Sequence, residues 1–383
     1  MSAARRATAR VLLASVRGDG WRRPPPALNA DLGAGHDLSD LCGAAVFHGV
    51  AGYVHHALWA AGGPEIARLV EPAYHGVVAG HLRGLATLQR VAAVLEPAGI
   101  PWLVVKGPVL VATAHARDDL RGYGDLDVLV PPYAFPDALV ALEAAGGQAH
   151  VHSWGFHHRQ AAGEVPVTLP DGATVDLHWD LCNTPELRRA FPIDTRSLFE
   201  RAATVAVGGR DVRTLDPVDG LLHLALHTCT SGGNRLVWLK DVEGWLASWD
   251  PEDAEIVRRA HRWRVSLPVA VVLTKVGAVL EADVDPGLIR RLAPQVGWRA
   301  VTRSVWRVSP PAAARPGPSL DRLVMRSVRA DQRASAAVLA HKARRLLTPS
   351  AGRTGGRRTH PADGHQRGAY LAAVVSGAFT SGT

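Results

Sequence analysis

The sequence predicts an α/β (α+β) fold: a small mixed sheet with helical N- and C-terminal flanks. Three observations predict it. Apolar residues recur at three- and four-residue intervals in long stretches near both ends, the spacing of a helix face. Between residues 99 and 215 the period shortens to two, in brief runs rich in β-branched residues. One helix-like stretch interrupts those runs, which makes the sheet a mixed one.

Residues 1–35 are rich in Arg, Pro and Gly and read as a loose N-terminal segment. Their apolar patch, Val11 to Val16, is too short for a signal-peptide core and is closed by Arg17. Residues 36–98 read as helices. Asp37 or Ser39 caps the first and Gly62-Gly63 stops it. In the next, Leu82, Leu85, Leu88, Ala92 and Leu95 share a face, and Pro97 and Gly99 end it.

Residues 99–215 form the expected core. "IPWLVVKG" reads as a strand ending at Lys106-Gly107, and "DLDVLV" as a second strand closed by Pro131-Pro132. "AFPDALVALEAAGG" reads as a helix with Phe135, Leu139 and Leu142 on one side. "VPVTLPDGATVDLHW" is a β-hairpin signal with Asp171-Gly172 at its turn. Alternation in its second arm places Val175, Leu177 and Trp179 on one face, and Asp176 and His178 on the other. Residues 216–347 turn helical again. Asp216 is an N-cap and Pro217 takes the first helical position. "LLHLALHTC" and "VWLKDVEGWLASW" follow as helices, more continue to about 290, and a basic amphipathic helix spans about 319 to 347. Residues 348–383 read as a basic, disordered tail.

The net charge of +8 invites a nucleic-acid reading, but its distribution opposes one. From Val301 onward the balance is +11, so the preceding 300 residues carry −3. That body argues mildly against a long nucleic-acid track. The three cysteines, Cys42, Cys182 and Cys229, show no CxxC spacing and fit a reducing compartment. No run of about 18 uncharged apolar residues marks a membrane span. A cytoplasmic protein is expected.

Asp125 and Asp127 sit one residue apart in an apolar strand, so they project from the same face. Two carboxylates that close repel unless something positive neutralises them. One reading is a solvated or Arg-bound pair at a strand edge. The other is a divalent cation, Mg²⁺ or Mn²⁺, of the kind that clamps the oxygens of phosphoryl or nucleotidyl transfer. Asp176, on the polar face of the hairpin, is the natural third carboxylate. Lys106-Gly107 lies upstream, where an ammonium and backbone amides would meet phosphates.

Other residues divide between function and structure. His178 shares a face with Asp176 and is read as orienting it, touching substrate or simply hydrogen-bonded. His223 and His227 have zinc-ligand spacing, but no Glu follows His223 as a metalloprotease helix requires. His227, Arg235 and Lys240 are candidates to reach substrate or nucleotide from the helical part, or are ordinary helix-surface residues. Asp241 reads as the structural partner of a nearby base.

The pieces "VVKGPVL", "LRGYGDLDVLV", "VDLHW", "LLHLALH" and "RLVWLKDV" occur in that order. Together they resemble the uncharacterised nucleotidyltransferase family of bacteria, within the DNA polymerase beta-type nucleotidyltransferase superfamily. The resemblance runs from about His48 to about Leu347 and is most specific between Lys106 and Val130 and at Asp241. It implies metal binding by Asp125 and Asp127, with Asp176 as third acid and general base. It also implies a nucleotide-phosphate turn at Lys106 and Gly107, and a phosphate-contacting or bracing role for Arg121. Two positions depart from the pattern: Pro108 follows Gly107 where the superfamily has Ser, and His115 stands where the family usually has Tyr.

The implied activity is Mg²⁺-dependent transfer of a nucleoside monophosphate from a triphosphate such as ATP. The acceptor is a small molecule, peptide or protein, and pyrophosphate leaves. Two alternatives stand beside it: a non-catalytic nucleotide-binding or partner protein on the same fold, and phosphoryl rather than nucleotidyl transfer.

Overall fold

The computed structural model describes residues 2–33, 38–295, 297–347 and 363–380. They gather into two units, each built from separated stretches of chain. The first comprises Met1–His81, Leu110–Tyr123 and Leu221–Ala343; the second comprises Leu82–Val109, Gly124–Gly220 and Arg344–Thr383.

The second unit holds the sheet. Strands β1 (Leu103–Val104), β2 (Asp125–Leu129), β3 (Gln148–Ala149), β4 (Glu164–Thr168) and β5 (Thr174–His178) assemble in the order β1-β2-β5-β4-β3. β2 and β5 run parallel and the other neighbours antiparallel, so the sheet is mixed as expected. A parallel pair needs a crossover rather than a tight turn, and the helix Phe135–Ala144 lies in that connection. Along β4 and β5, buried and part-exposed residues alternate strictly. Val165, Val167, Val175 and Leu177 are wholly buried, each contributing roughly 1.5–3 kcal/mol. Those four side chains lock the register, because a one-residue slip would turn the acidic face into the core.

A second hairpin pairs β6 (Ala203–Val207) with β7 (Arg210–Thr214). Gly208 and Gly209 form its turn with φ of +57° and +78°, the left-handed pair that a tight hairpin demands. This hairpin is not among the elements expected from the sequence, although Gly-Gly between two alternating runs is its signal.

The C-terminal tail, expected to be disordered, lies outside the described residues over 348–362 and 381–383. From 363 the expectation fails: Asp363–Val375 is a helix packed on the helices Phe135–Ala144 and Trp154–Gln160. Its anchor is Tyr370, wholly buried, whose hydroxyl donates to Ala162 O at 2.7 Å. Trp179 Nε1 points at the same two oxygens, 2.9 Å from Ala162 O and 3.0 Å from Tyr370 Oη. Composition misled here, because one buried aromatic at helical spacing outweighs the surrounding Gly and Arg.

The first unit is helical. Its central helix, Ser266–Leu280, is buried nearly all round and packs against Leu236–Trp249, Pro286–Leu292 and Gly297–Val308. Lys275 within it is wholly buried, with Nζ 2.8 Å from both Asp321 oxygens. The N-terminal segment, expected to be loose, instead contains the helices Ala3–Val16 and Pro26–Gly33. Ser2 caps the first by accepting from Arg5 N at 3.3 Å. Ala7, Val11, Leu12 and Val16 are buried, while Arg5, Arg6 and Arg10 take the exposed side. The arginines that suggested looseness are thus the polar face of an ordinary amphipathic helix.

The basic helix expected over 319–347 is two helices, Leu320–Met325 and Gln332–Leu347. Asp331 restarts the chain as an N-cap, its Oδ1 accepting from Ala334 N at 2.9 Å. The candidate cap Asp37 lies outside the described residues. All three cysteines are free. Among the described residues no helix is long and apolar enough to cross a membrane.

Candidate active site

Register builds the acidic face. Asp127 pairs with Asp176 across β2 and β5, Asp125 with Thr174, and Leu129 with His178; Glu164 on β4 pairs with His178. Residues in register on neighbouring strands share a face. Asp125, Asp127, Asp176, His178 and Glu164 therefore stand together, opposite the buried Val165, Val175 and Leu177. Glu164 is the member that sequence reasoning missed. Its signal was the alternation of "EVPVT", which puts it on the polar face of its strand.

Lys106 joins them from β1. The β1–β2 ladder extends one residue beyond β1, with Val105 N donating to Asp127 O at 3.2 Å. The chain then bends at Gly107, where φ is +59°, straight into the helix Pro108–Ala114. A side chain at Gly107 would be strained in that left-handed conformation. The bend leaves Lys106 Nζ 2.7 Å from Asp127 Oδ1.

The electrostatics follow from this crowding. Burial alone would push Asp127 up, but the Lys106 ammonium and the His178 ring overcome it and hold the carboxyl well below the usual range. Burial opposes the Lys106 charge too, and Asp127, Asp125 and Glu164 together raise it nonetheless. At Asp176 the balance goes the other way, and His178 offsets only part of it. Burial, then the carboxylates of Asp125, Asp127 and Glu164, push it up to about 6. His178 lies between two acceptors, Nδ1 at 3.2 Å from Glu164 Oε2 and Nε2 at 3.3 Å from Asp127 Oδ1. Against the pull of burial, those carboxylates raise it.

Donor atoms of Asp127, Asp176 and His178 all lie within 4.8 Å of one another, close enough to hold one metal ion. Two carboxylates and an imidazole suit a divalent cation. Asp125, exposed at the start of β2, adds its charge beside them.

The remaining predicted residues belong to the helical unit. Arg121 makes a buried bidentate pair with Asp241, Nε at 2.7 Å and Nη2 at 3.0 Å. His115 Nε2 approaches the same carboxylate at 2.8 Å, and its Nδ1 lies 2.7 Å from the Tyr53 hydroxyl. A carboxylate can only accept, so Nε2 carries the proton. Burial keeps the ring neutral, so Nδ1 accepts from Tyr53. Burial would raise Asp241, but Arg121 and His115 hold it well below its usual range. Lys240 pairs with Glu243 and lies 5.5 Å over the Tyr53 ring. The Arg235 guanidinium sits 5.5 Å from the Phe47 ring and 5.6 Å from Trp238, while His227 meets Trp238 edge-on at 5.6 Å.

The sequence pieces that looked like one motif therefore form two clusters. The Arg before the Asp pair and the Asp of "WLKDV" brace the helical unit, and the Asp pair itself lies on the sheet. A family described as uncharacterised nucleotidyltransferase matches residues 35–280.

The chain belongs to the uncharacterised nucleotidyltransferase family.

The match to this nucleotidyltransferase family covers both clusters and ends at residue 280, short of the Leu347 expected from the sequence. Two solved structures are similar at low identity. One is an antigenic nucleotidyltransferase-like protein from Paracoccidioides brasiliensis, at 13% identity over 53% of this chain and 94% of that one, with a TM-score of 0.36. The other is the Thermotoga maritima CCA-adding enzyme complexed with tRNA, at 12% identity over 80% and 95% of the two chains, with a TM-score of 0.20. No curated protein matches the chain.

Proposed function

We propose that this family member is a metal-dependent nucleotidyltransferase that moves a nucleoside monophosphate from a triphosphate to a hydroxyl of an acceptor. The observation that carries the reading is the in-register pairing of Asp127 with Asp176, whose oxygens lie with a His178 nitrogen within 4.8 Å of one another. A divalent cation held by Asp127 and Asp176, with Asp125 alongside, supplies neutralisation of the phosphate charge when bound. Asp176 takes the proton of the attacking hydroxyl, and a carboxyl raised to about 6 suits a base working near neutral pH. The hydroxyl oxygen bonds to the α-phosphorus, and the bond to pyrophosphate breaks. Lys106, at the mouth of the Gly107 bend, meets the outer phosphates with its ammonium. Catalysis is then mostly positioning and charge stabilisation.

The acceptor is a small molecule, peptide or protein. The free thiols Cys42, Cys182 and Cys229 support a cytoplasmic setting. Incubation with α-labelled and γ-labelled nucleoside triphosphates, Mg²⁺ or Mn²⁺ and candidate acceptors tests the reading. Acceptor carrying the α label is expected. Transfer of the γ label alone means phosphoryl transfer, and binding without transfer means a nucleotide-binding protein.

A further inference from the structure

The helical unit holds a concave feature with a charge pattern of its own. A cavity of about 350 Å³ opens among the helix Ala3–Val16, the end of the helix Ser266–Leu280, and the helix Gly297–Val308 with the turn Pro311–Ala313 that follows it. Leu13, Val279, Trp306 and Pro311 give it an apolar wall. Trp306 is buried, and its ring lies 5.2 Å from Lys275 Nζ, which is itself locked on Asp321. Three arginines line the same cavity, Arg17, Arg303 and Arg307, and no Asp or Glu does. Arg17, the residue after the first helix, is pinned by Nε on Val279 O at 3.0 Å and by Nη1 on Glu281 at 2.6 Å. Arg303 and Arg307 are exposed and four residues apart, so they stand one turn apart on one edge of their helix. Among the described residues neither has an ion-pair or hydrogen-bond partner for its side chain. Like charges at that spacing destabilise a helix. Solvated arginines on a helix edge need no explanation alone. These two share an apolar cavity with a third, delivered by another helix.

We propose that this cavity binds a small organic anion with a flat apolar body. Its acidic group meets Arg303, Arg307 and Arg17, because guanidinium groups pair with carboxylate and phosphate oxygens. Its body lies against Trp306, whose ring offers a large apolar face. A volume near 350 Å³ encloses one small molecule rather than a length of polymer. The site lies within the helical unit and stands independently of the metal-dependent reading above.

Fluorescence titration of the full-length chain with anilinonaphthalene sulfonate tests it, beside the uncharged parent phenylnaphthylamine, which has the same rings. The sulfonate should bind about 10-fold more tightly than the parent or better, and its advantage should shrink as salt rises. That comparison needs no variant, so folding does not enter it. Arg303→Gln combined with Arg307→Gln should weaken the sulfonate about 10–100-fold and leave the parent unchanged, which shows the cavity still formed. Ala278→Phe, at an exposed position on the cavity's lining, should exclude both probes. Equal affinity for the two probes in wild type, full sulfonate binding or an equal loss of both probes in the arginine variant, or binding that survives Ala278→Phe overturns the proposal. Displacement of the sulfonate by a short single-stranded oligonucleotide also overturns it, and means that the arginines serve a nucleic-acid backbone.

Discussion

Asp127 and Asp241 are both buried carboxylates held below their usual range by neighbouring cations, yet their surroundings sum differently. Around Asp241 the count closes. One carboxylate meets one guanidinium, and the neutral His115 and Tyr53 complete the hydrogen bonds. Around Asp127 like charges crowd together. Burial, then the carboxylates of Asp125, Asp127 and Glu164, push the neighbouring Asp176 up to about 6. A balanced buried network braces a fold. A crowd of carboxylates is where the proposed cation would be taken up. Identical residue types, each in a recognisable motif, thus carry different work according to the sum of charge about them.

The sharpest way to break the comparison is to remove each acid in turn. Asp241→Asn should cost about 3–5 kcal/mol, because it strands the buried Arg121 charge, and should appear as a marked fall in melting temperature. Asp127→Asn should leave the melting temperature within a few degrees, since Asp125 and Glu164 still face Lys106 and one repulsion on Asp176 is gone. Turnover should drop by several kcal/mol of transition-state stabilisation, on the order of 10³-fold in rate. Equal melting losses in the two variants would erase the distinction.

Removing residues 348–383 should follow closely in size. It strips Tyr370 from Trp179, the residue next to His178, at a cost of about 3–5 kcal/mol by thermal melting. An unchanged melting curve would mean that the helix Asp363–Val375 adds nothing to stability.

The third test uses pH on metal-free protein. Asp176 is raised from 3.8 to about 6, so the folded state binds its proton more tightly than the unfolded state does. Its contribution is therefore full below pH about 4 and lost as pH rises through about 6. Asp241 is lowered, so its contribution holds above its usual range and is lost only as pH falls further. Urea melts from pH 4 to 7 should show a decline that Asp176→Asn reduces and Tyr53→Phe retains, the remainder coming from Asp180, which burial also raises to about 6.

The smallest effect is Tyr53→Phe. It leaves His115 Nδ1 without its donor, at about 1–3 kcal/mol, and should not change metal affinity. A change in Mn²⁺ binding there would mean that the two clusters are coupled.

The acidic trio was legible because strand alternation acts over two residues, and "DLDVLV" and "VDLHW" carry it in the open. Glu164 was legible only as a polar-face residue of its strand, because its neighbour His178 lies across a hairpin and only register brings the two together. Arg121 and Asp241 lie 120 positions apart, so composition and periodicity gave each a separate local role. The helices flanking the sheet were legible from spacing, but the N-terminal helix hid behind its arginines. The tail helix hid because its one deciding contact, Tyr370 with Trp179, is long-range.

The interleaving of the two units has a bearing on how such a protein is inherited. The chain passes from one unit to the other after His81, Val109, Tyr123, Gly220 and Ala343. No single cut, and no single crossover between genes, can transplant one unit whole. The strand bearing Asp125 and Asp127 follows directly on a stretch, Leu110–Tyr123, that belongs to its neighbour. An ordinary domain fused at one end can be traded by recombination. Here neither unit can be exchanged by one splice, and change in either has to come by substitution within the chain.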